Sequence, residues 1–178
     1  MAFDSARGRT VLFGGMDLNK ELLADTWEWD GTNWLQQFPA TSPPARCLHG
    51  LGYDSVRRRT VLFGGPISDT WEWDGTSWTQ RFPGTSPPAT ASPGLAFDSL
   101  RGRTVLFAGT TWEWNGTEWT QRYPTGNPVG RASALAYDSA RNRSILFLGR
   151  PSGQTWEYLT PLDIVGPGHP GGGIPLQI

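Results

Sequence analysis

Short apolar stretches alternate with polar, glycine-rich turns along this chain, and the pattern occurs four times. In the first copy, residues 11–15 (Val-Leu-Phe-Gly-Gly) are followed by residues 26–29 (Thr-Trp-Glu-Trp), whose two tryptophans share one face of an extended strand. Later copies lie at residues 61–65 with 70–73, 105–109 with 111–114, and 145–149 with 155–158. Equivalent positions are about 40 to 50 residues apart, a period that indicates a propeller, a solenoid or another repeat array.

Each copy predicts four antiparallel strands. The first is short and rich in small residues, and an Asp-Ser turn, as at residues 4–9, leads from it into an apolar second strand. Because that second strand is apolar throughout, both of its faces must be covered. The third strand ends in an Asx-Gly pair, a strong hairpin signal. These pairs are Asp30 with Gly31, Asp74 with Gly75, and Asn115 with Gly116.

In the first three copies the fourth strand is more polar and ends in proline, at Pro39, Pro83 and Pro124, which suits an outer edge. Four antiparallel strands with buried inner members predict the blade of an all-β propeller. We place the blades at residues 1–38, 45–82, 92–123 and 132–159. No Asx-Gly pair follows Tyr158, so the fourth blade is expected to lack its outer strand. Residues 160–178, rich in glycine and proline, are interpreted as a tail or linker.

The recurring elements Asp-Ser-Ala-Arg, Val-Leu-Phe-Gly-Gly and Thr-Trp-Glu-Trp-Asp-Gly-Thr resemble the repeats of bacterial kelch-type propellers, often labelled galactose-oxidase-like. The resemblance covers residues 1–159, with Ala108 and Leu148 replacing the first glycine of the pair and Tyr158 replacing a tryptophan. WD-type repeats fit less well, because their Gly-His and Trp-Asp signatures do not recur in register. The kelch resemblance implies rings of about six or seven blades, so four blades form an incomplete ring. It also implies a secreted or extracytoplasmic protein.

Composition narrows the classes of function. Lysine plus arginine number 15 against 16 acidic residues, a formal net charge of −1, so no basic surplus points to nucleic acid. No apolar run approaches the ~18 residues of a membrane-spanning helix. The single cysteine, Cys47, excludes an internal disulfide. No secretory signal precedes the first copy, which starts within a repeat, and we therefore expect a longer gene product.

Catalytic chemistry is not predicted. The galactose-oxidase resemblance would require copper held by histidines and tyrosines, with one tyrosine cross-linked to a cysteine. The only histidines are His49 and His169, and no motif around Cys47 matches. Metal sites usually need about three or four ligands, so no metal and no other cofactor is expected.

Sialidases, another class of propeller enzyme, also fit poorly. Their Asp-box hairpins separate aspartate from glycine by one residue, whereas the two residues are adjacent here. Their active sites also need an arginine triad on one face. Arg46 and Arg131 occupy matching positions in this chain, but Thr90 stands at the intervening position.

Two other repeated sets have both a structural and a functional interpretation. Pairing of the second and third strands would bring the glutamate of each Thr-Trp-Glu motif near an arginine. These sets are Glu28, Glu72, Glu113 and Glu157 with Arg9, Arg59, Arg103 and Arg143. Because they recur in every copy, we interpret them as structural ion pairs rather than a functional charged ring. For the same reason, Trp27, Trp71 and Trp112 are predicted to be buried rather than to form sugar-stacking platforms.

Loop lengths indicate where a ligand would bind. Strand direction alternates within a blade, so the 1–2 and 3–4 turns lie on one side, and the 2–3 loops lie with the inter-blade connections on the other. The first set is short and uniform, whereas the second varies from residues 16–25 in the first copy to Thr110 alone in the third. Variable loops on a rigid scaffold are a usual place for binding residues.

We therefore predict a non-catalytic binding module that takes a protein or a glycan on the side of the variable loops. The candidate ligand-binding residues are Asp17, Lys20, Glu21, Arg46, His49, Arg131 and Arg150. The alternative interpretation is a fragment of a larger secreted propeller enzyme whose catalytic residues lie outside this chain. Incomplete end blades also predict exposed apolar faces, and hence self-association.

Overall fold

The computed structural model describes residues 1–124, 128, 132–148, 153–160 and 163–165. Regular structure in these residues is entirely β, with sixteen strands in four antiparallel sheets of four. Nothing in this part of the chain forms a helix that would cross a membrane. Each sheet is built from strands that are consecutive in the chain, so the strands within it are joined as successive hairpins. The repeats predict this blade topology.

Each blade runs in chain order from its first to its fourth strand. The first blade contains β1 (Ala2–Asp4), β2 (Arg9–Met16), β3 (Leu22–Trp29) and β4 (Trp34–Gln37). The second contains β5 (His49–Asp54), β6 (Arg59–Gly64), β7 (Thr70–Trp73) and β8 (Trp78–Arg81). The third contains β9 (Gly94–Asp98), β10 (Arg103–Phe107), β11 (Thr111–Trp114) and β12 (Trp119–Arg122). The fourth contains β13 (Ala132–Asp138), β14 (Arg143–Leu148), β15 (Thr155–Thr160) and β16 (Asp163–Val165).

Strand β16 corrects the expectation that the fourth blade lacks an outer strand. It lies within the segment interpreted as a tail, and it pairs antiparallel with β15. Sequence analysis missed it because the strand has only three residues and no Asx-Gly pair precedes it.

The Asx-Gly hairpins form as the sequence predicts. In blade 2, Oδ1 of Asp74 accepts hydrogen bonds from the backbone N–H groups of Thr76 and Ser77, each at 2.8 Å. Gly75 has a φ of 100°, a left-handed conformation that residues with side chains rarely adopt. The first and third blades close this turn with the same hydrogen bonds. The turn therefore sets the register of the third strand against the fourth.

The blades pack face to face in chain order. Alternation along β6 sends Val61 and Phe63 to one face and Leu62 to the other, and all three are fully buried. The first face packs on blade 3, in a cluster that includes Leu95, Leu106, Trp112, Trp114 and Trp119. The second packs on blade 1, in a cluster that includes Val11, Phe13, Trp71, Trp73 and Trp78.

The seam between blades 3 and 4 uses equivalent positions. Val105 packs with Tyr158, and Phe107 packs with Leu146 and Leu148. The first strands of the blades, β1, β5, β9 and β13, adjoin one another in chain order. The four blades therefore form an open β-propeller ring, which confirms the predicted all-β fold and its incomplete closure.

Each end blade leaves one face uncovered. On blade 1, Trp29 is half-buried and Trp34 is 41 % exposed. On blade 4, Phe147 is 44 % exposed, although its counterpart Phe63 in blade 2 is fully buried. Among the described residues, no apolar cluster joins blade 1 to blade 4.

The prediction of buried tryptophans is confirmed at two positions and wrong at the third. Trp71 and Trp112 are buried in the seams between blades. Trp27 is only half-buried, because it lies on the face of blade 1 that no other blade covers. Trp27 holds the same repeat position as Trp71 and Trp112, but no other blade among the described residues packs against it.

A matched pair of tryptophans tests this account of the packing. Trp114 is fully buried between blades 2 and 3, and Trp29 holds the same repeat position on the uncovered face of blade 1. We expect Trp114→Ala to lower the free energy of unfolding by about 3–5 kcal/mol, and Trp29→Ala to lower it by less than about 1 kcal/mol. Urea denaturation at a protein concentration too low for association measures both values. Equal losses would contradict the difference in coverage.

Candidate functional site

Contacts between neighbouring loops define the two sides of the ring. On one side, Nη1 of Arg9 lies 3.4 Å from a carboxylate oxygen of Asp30, which joins the 1–2 and 3–4 turns of blade 1. On the other, the N–H of Gly15 donates to the carbonyl of Arg46 at 2.9 Å, and the N–H of Arg46 donates to the carbonyl of Leu23 at 3.1 Å. We call the first the turn side. The second, which carries the 2–3 loops and the inter-blade connections, is the loop side.

Buried carboxylates dominate the turn side. In blade 2, Glu72 is fully buried and accepts hydrogen bonds from Arg57 at 2.5 Å and Arg81 at 2.8 Å. From blade 3, Nε1 of Trp114 donates to the same carboxylate at 2.9 Å. Asp54 accepts a hydrogen bond from Nε of Arg57 at 2.7 Å and so fixes the guanidinium. Both carboxylate oxygens of Glu72 are therefore occupied by fixed donors.

The same arrangement recurs at the neighbouring seams. The donors to Glu28 are Arg7 and Trp73, and the donors to Glu113 are Arg101, Arg122 and Tyr158. Burial raises the pKa of Glu113, but the hydrogen bond from Tyr158 and the charge of Arg101 outweigh it and hold the pKa below its usual value. The group is therefore ionised near neutral pH, and its donors hold it in a structural ion pair.

The structure corrects which arginine pairs with each glutamate. In blades 1 to 3 the partner lies two residues before the expected one: Arg7, Arg57 and Arg101 take the place of Arg9, Arg59 and Arg103. The cause is the 1–2 turn, where an aspartate three residues earlier binds both the backbone N–H and the guanidinium of the arginine. This Asp-x-x-Arg spacing recurs in all four copies and is the signal that identifies the pair. Only in blade 4 does the predicted partner, Arg143, bind Glu157, at 2.6 Å.

Arg46 has a structural position, which removes it from the ligand-binding candidates. Its side chain is fully buried and forms a bidentate pair with Asp69, at 2.5 and 2.8 Å. It also donates to the carbonyl groups of Gly64 and Pro44, at 3.2 and 3.1 Å. Burial raises the pKa of Asp69, but the hydrogen bond and charge of Arg46 hold it below its usual value. The pair ties the connection between blades 1 and 2 to the 2–3 loop of blade 2.

His49 lies at the seam between blades 1 and 2. Its ring packs edge-on against Phe13, with ring centroids 5.7 Å apart, and Nδ1 is buried without a hydrogen-bond partner among the described residues. Burial, together with the positive charge of Arg46, lowers the pKa of His49 to about 4. The imidazole is therefore neutral near pH 7 and packs as part of the seam.

A long hairpin of blade 1 projects on the loop side. Its strands β2 and β3 have eight residues each, whereas the second and third strands of the other blades have four to six. At its end, Oδ1 of Asp17 accepts hydrogen bonds from the N–H groups of Asn19 and Glu21, at 2.9 and 2.8 Å. Lys20 adopts a left-handed φ of 68°. The Asp17 carboxylate thus serves the turn, while the side chains of Lys20 and Glu21 are exposed.

Four apolar side chains that were not among the predicted site residues surround this turn. We call residues 16–23 the hairpin tip, and its exposed apolar members are Met16, Leu18, Leu22 and Leu23. Exposed apolar groups with charged neighbours mark interaction surfaces. The sequence does carry a signal for these residues. The hairpin of blade 1 is longer than those of the other copies, and its additional residues place apolar side chains on both sides of the polar turn.

Two further candidate residues stay predictions. Arg131 and Arg150 lie outside the described residues. Within the described part of the chain, no three metal-ligating side chains come together. A cleft of about 210 Å³ at the centre of the ring is lined by Met1, Gly50, Leu51, Pro93, Gly94, Leu95, Ala134 and Leu135. The side chains of this cleft are apolar. Of the predicted site residues that the structure describes, only Asp17, Lys20 and Glu21 come together at the hairpin tip.

Comparisons with known proteins support the fold and leave the family open. No protein-family model matches the chain, and no curated protein matches it. A similar solved structure is a chain described as the crystal structure of a nidogen/laminin complex, with a TM-score of 0.56 and 12 % sequence identity. The match covers 89 % of this chain and 64 % of that chain, so this chain spans less than two thirds of its neighbour's length. At this identity the similarity shows the propeller-like fold alone.

The buried pair of Arg46 and Asp69 gives a direct test of the assignment. We expect Arg46→Ala to lower the free energy of unfolding by roughly 3–5 kcal/mol, because it leaves a largely buried carboxylate without its cation. Lys20→Ala, at the exposed hairpin tip, should change it by less than about 0.5 kcal/mol. Urea denaturation measures both values. If Arg46→Ala proved as stable as Lys20→Ala, Arg46 would return to the ligand-binding candidates.

The histidine at the first seam should make stability depend on pH. The pKa of His49 is about 4 in the folded chain and about 6.5 when unfolded, so the unfolded chain binds more protons between these values. The contribution of neutral His49 to the free energy of unfolding is therefore fully present above about pH 6.5, and it is lost as the pH is lowered towards 4. We expect His49→Gln to flatten the fall between about pH 6.5 and 5. Urea denaturation across that interval measures the slope. His169 is present in both proteins, and an unchanged slope would contradict the burial of His49.

Proposed function

We propose that this chain is a non-catalytic interaction module that binds a protein ligand through the hairpin tip of blade 1. The observation that carries the proposal is the group of exposed apolar side chains at the tip: Met16, Leu18, Leu22 and Leu23. Covering such side chains with a partner removes apolar surface from water and is favourable. The eight-residue strands and the hydrogen-bonded turn already order the tip, so binding needs little further ordering.

A protein is a better match to this surface than a glycan. Glycans stack on exposed aromatic faces, whereas the exposed apolar side chains of the hairpin tip are not aromatic, and the exposed Trp34 lies on the uncovered face of blade 1. The hairpin tip offers aliphatic side chains beside Lys20 and Glu21. An apolar centre with a charged rim is the usual composition of a protein–protein interface.

The turn side supports a non-catalytic role. Catalytic carboxylates need a free oxygen and a pKa suited to proton transfer. The oxygens of Glu72 are occupied by two arginines and an indole, and the pKa of Glu113 is held low by its donors. The repeated glutamates of the third strands thus have structural roles, in ion pairs and hydrogen bonds.

The repeat motifs support a kelch-type propeller, and with it a secreted or extracytoplasmic setting. The structural neighbour comes from a complex of nidogen with laminin. Both observations support our proposal that this chain acts by binding another protein.

Substitutions on opposite sides of the ring test the proposal. The test variants are Leu18→Asp and Leu22→Asp at the hairpin tip. The matched controls are Val56→Asp and Leu100→Asp, both 67 % exposed in 1–2 turns on the turn side. Ligands are first selected against the wild-type chain from a displayed library of protein fragments and, separately, from a glycan array.

We expect selected protein fragments to lose at least about tenfold in affinity, or 1.4 kcal/mol, with the tip variants and to bind the controls unchanged. Biolayer interferometry with each variant measures this. Ligands that respond to Val56→Asp and ignore Leu18→Asp would place the site on the turn side. Binding confined to glycans would contradict the choice of ligand.

A further inference from the structure

We propose that two copies of this chain associate head to tail, with the uncovered face of blade 4 in one copy packed against the uncovered face of blade 1 in the other. The contact would repeat the seam that already joins consecutive blades within the chain. It uses the flat faces of the end blades, and it is independent of the ligand surface at the hairpin tip.

Each seam joins two chemically different faces. One face presents two apolar residues of the second strand with a threonine and a glutamate of the third, and we call it the acceptor face. In blade 2 the acceptor face is Val61, Phe63, Thr70 and Glu72. The other, the indole face, presents a leucine and three tryptophans in blades 1 to 3, whereas Tyr158 replaces one tryptophan in blade 4. In blade 3 the indole face is Leu106, Trp112, Trp114 and Trp119.

Hydrogen bonds fix the register between the two faces. At the seam between blades 2 and 3, Nε1 of Trp114 donates to Glu72 at 2.9 Å, and Nε1 of Trp119 donates to Oγ1 of Thr70 at 2.8 Å. The seam between blades 1 and 2 repeats both bonds at 2.8 Å: Trp73 donates to Glu28, and Trp78 donates to Thr26. The seam is therefore a specific junction that repeats along the chain.

Blade 1 presents a complete indole face that meets no blade. Its members are Leu12, Trp27, Trp29 and Trp34. Trp34 is 41 % exposed, whereas the equivalent Trp78 is fully buried. Within the described residues, the indole N–H groups of Trp29 and Trp34 have no acceptor, although the equivalent groups in blades 2 and 3 all have one.

Blade 4 presents a complete acceptor face, and no other blade among the described residues covers it. Its members are Ile145, Phe147, Thr155 and Glu157. Phe147 and Thr155 are exposed, although the equivalent residues in blade 2 are fully buried. The carboxylate of Glu157 is bound by Arg143 through Oε2, and Oε1 lacks the indole donor that Glu72 has. This face therefore offers the two acceptors that Trp29 and Trp34 need.

A third feature of the seams is also divided between the two ends. A Cβ on Gly116 would lie 2.7 Å from the guanidinium of Arg57, so the arginine of one blade covers the Asx-Gly turn of the next. Gly31, the equivalent glycine of blade 1, has no atom within 4 Å of such a Cβ. Arg141, the equivalent arginine of blade 4, has a side chain that is 70 % exposed, against 27 % for Arg57. The two ends thus hold complementary halves of one contact.

Because the two faces differ, one contact leaves one free face on each copy: the indole face of one copy and the acceptor face of the other. Head-to-tail contacts either close into a ring or continue as a filament. Two copies of four blades give eight, which lies within the range of about 4–8 blades found in propellers. Closure forms a second, identical seam within the same complex, and this seam benefits from high effective concentration. We therefore assign the closed pair as the product.

Two single-face variants test the proposal. Trp29→Asp disables the indole face of blade 1, and Phe147→Asp disables the acceptor face of blade 4. Sedimentation velocity across the micromolar range should show a dimer for the wild-type chain and mainly monomer for each variant alone. An equimolar mixture of the two variants should recover a dimer that is weaker than the wild-type one, because one intact face remains on each copy and only one of the two seams can form. Leu100→Asp, on the turn side, should dimerise as the wild-type chain does.

Each other outcome overturns the proposal. A wild-type monomer throughout the range would mean that something other than a second copy covers these faces. Dimerisation that is lost with Trp29→Asp but kept with Phe147→Asp would indicate pairing of two blade 1 faces. A mixture that associates no more strongly than either variant alone would exclude the head-to-tail contact. Urea denaturation confirms that each variant is folded, and both substituted positions lie on uncovered faces.

Discussion

This propeller depends on the hydrogen bonds of a buried glutamate in the third strand of each inner blade. Glu72 binds arginines of its own blade and accepts an indole N–H from the next, so one carboxylate joins strands within a sheet and sheets across a seam. A buried charge is costly unless it is paired and hydrogen-bonded. Each such glutamate therefore needs a neighbouring blade that donates a hydrogen bond, either from a tryptophan indole or, at Tyr158, from a phenol. Apolar packing then follows the alignment that these bonds impose.

The fold was predictable because its determinants are local and repeated. Alternation within residues 61–63, the Asx-Gly turns and the period of the motifs each appear in the sequence without knowledge of distant contacts. The errors arose where a contact crosses between elements. Arg57 binds Glu72 because Asp54 aims it, and strand pairing alone favoured Arg59. Trp27 has the sequence of a buried residue and lacks the neighbour that would bury it.

The candidate site was harder to predict for the same physical reason. Arg46 stands in a variable connection, and only the fold shows that Asp69, which lies 23 residues further on, reaches it. Asp69 also accepts a hydrogen bond from the indole of Trp71. The acidic residue two places before the first tryptophan of the motif was therefore a clue in the sequence to the partner of Arg46. The hairpin tip was partly predictable: the loop length of residues 16–25 located it. The exposure of Leu18 and Leu22 depends on the hairpin projecting beyond the neighbouring blade, which no local pattern encodes.

The linear order of the seams has a consequence for how this molecule fluctuates. Contacts in a repeat array join nearest neighbours, so stability is a sum of terms for single repeats and terms for the junctions between them. In one chain, blades 2 and 3 each share two junctions, whereas blades 1 and 4 each share one. Local opening therefore starts at the ends, where the least free energy is needed. The hairpin tip belongs to such an end, and any partner held there adds its binding free energy to the blade that the chain itself supports least.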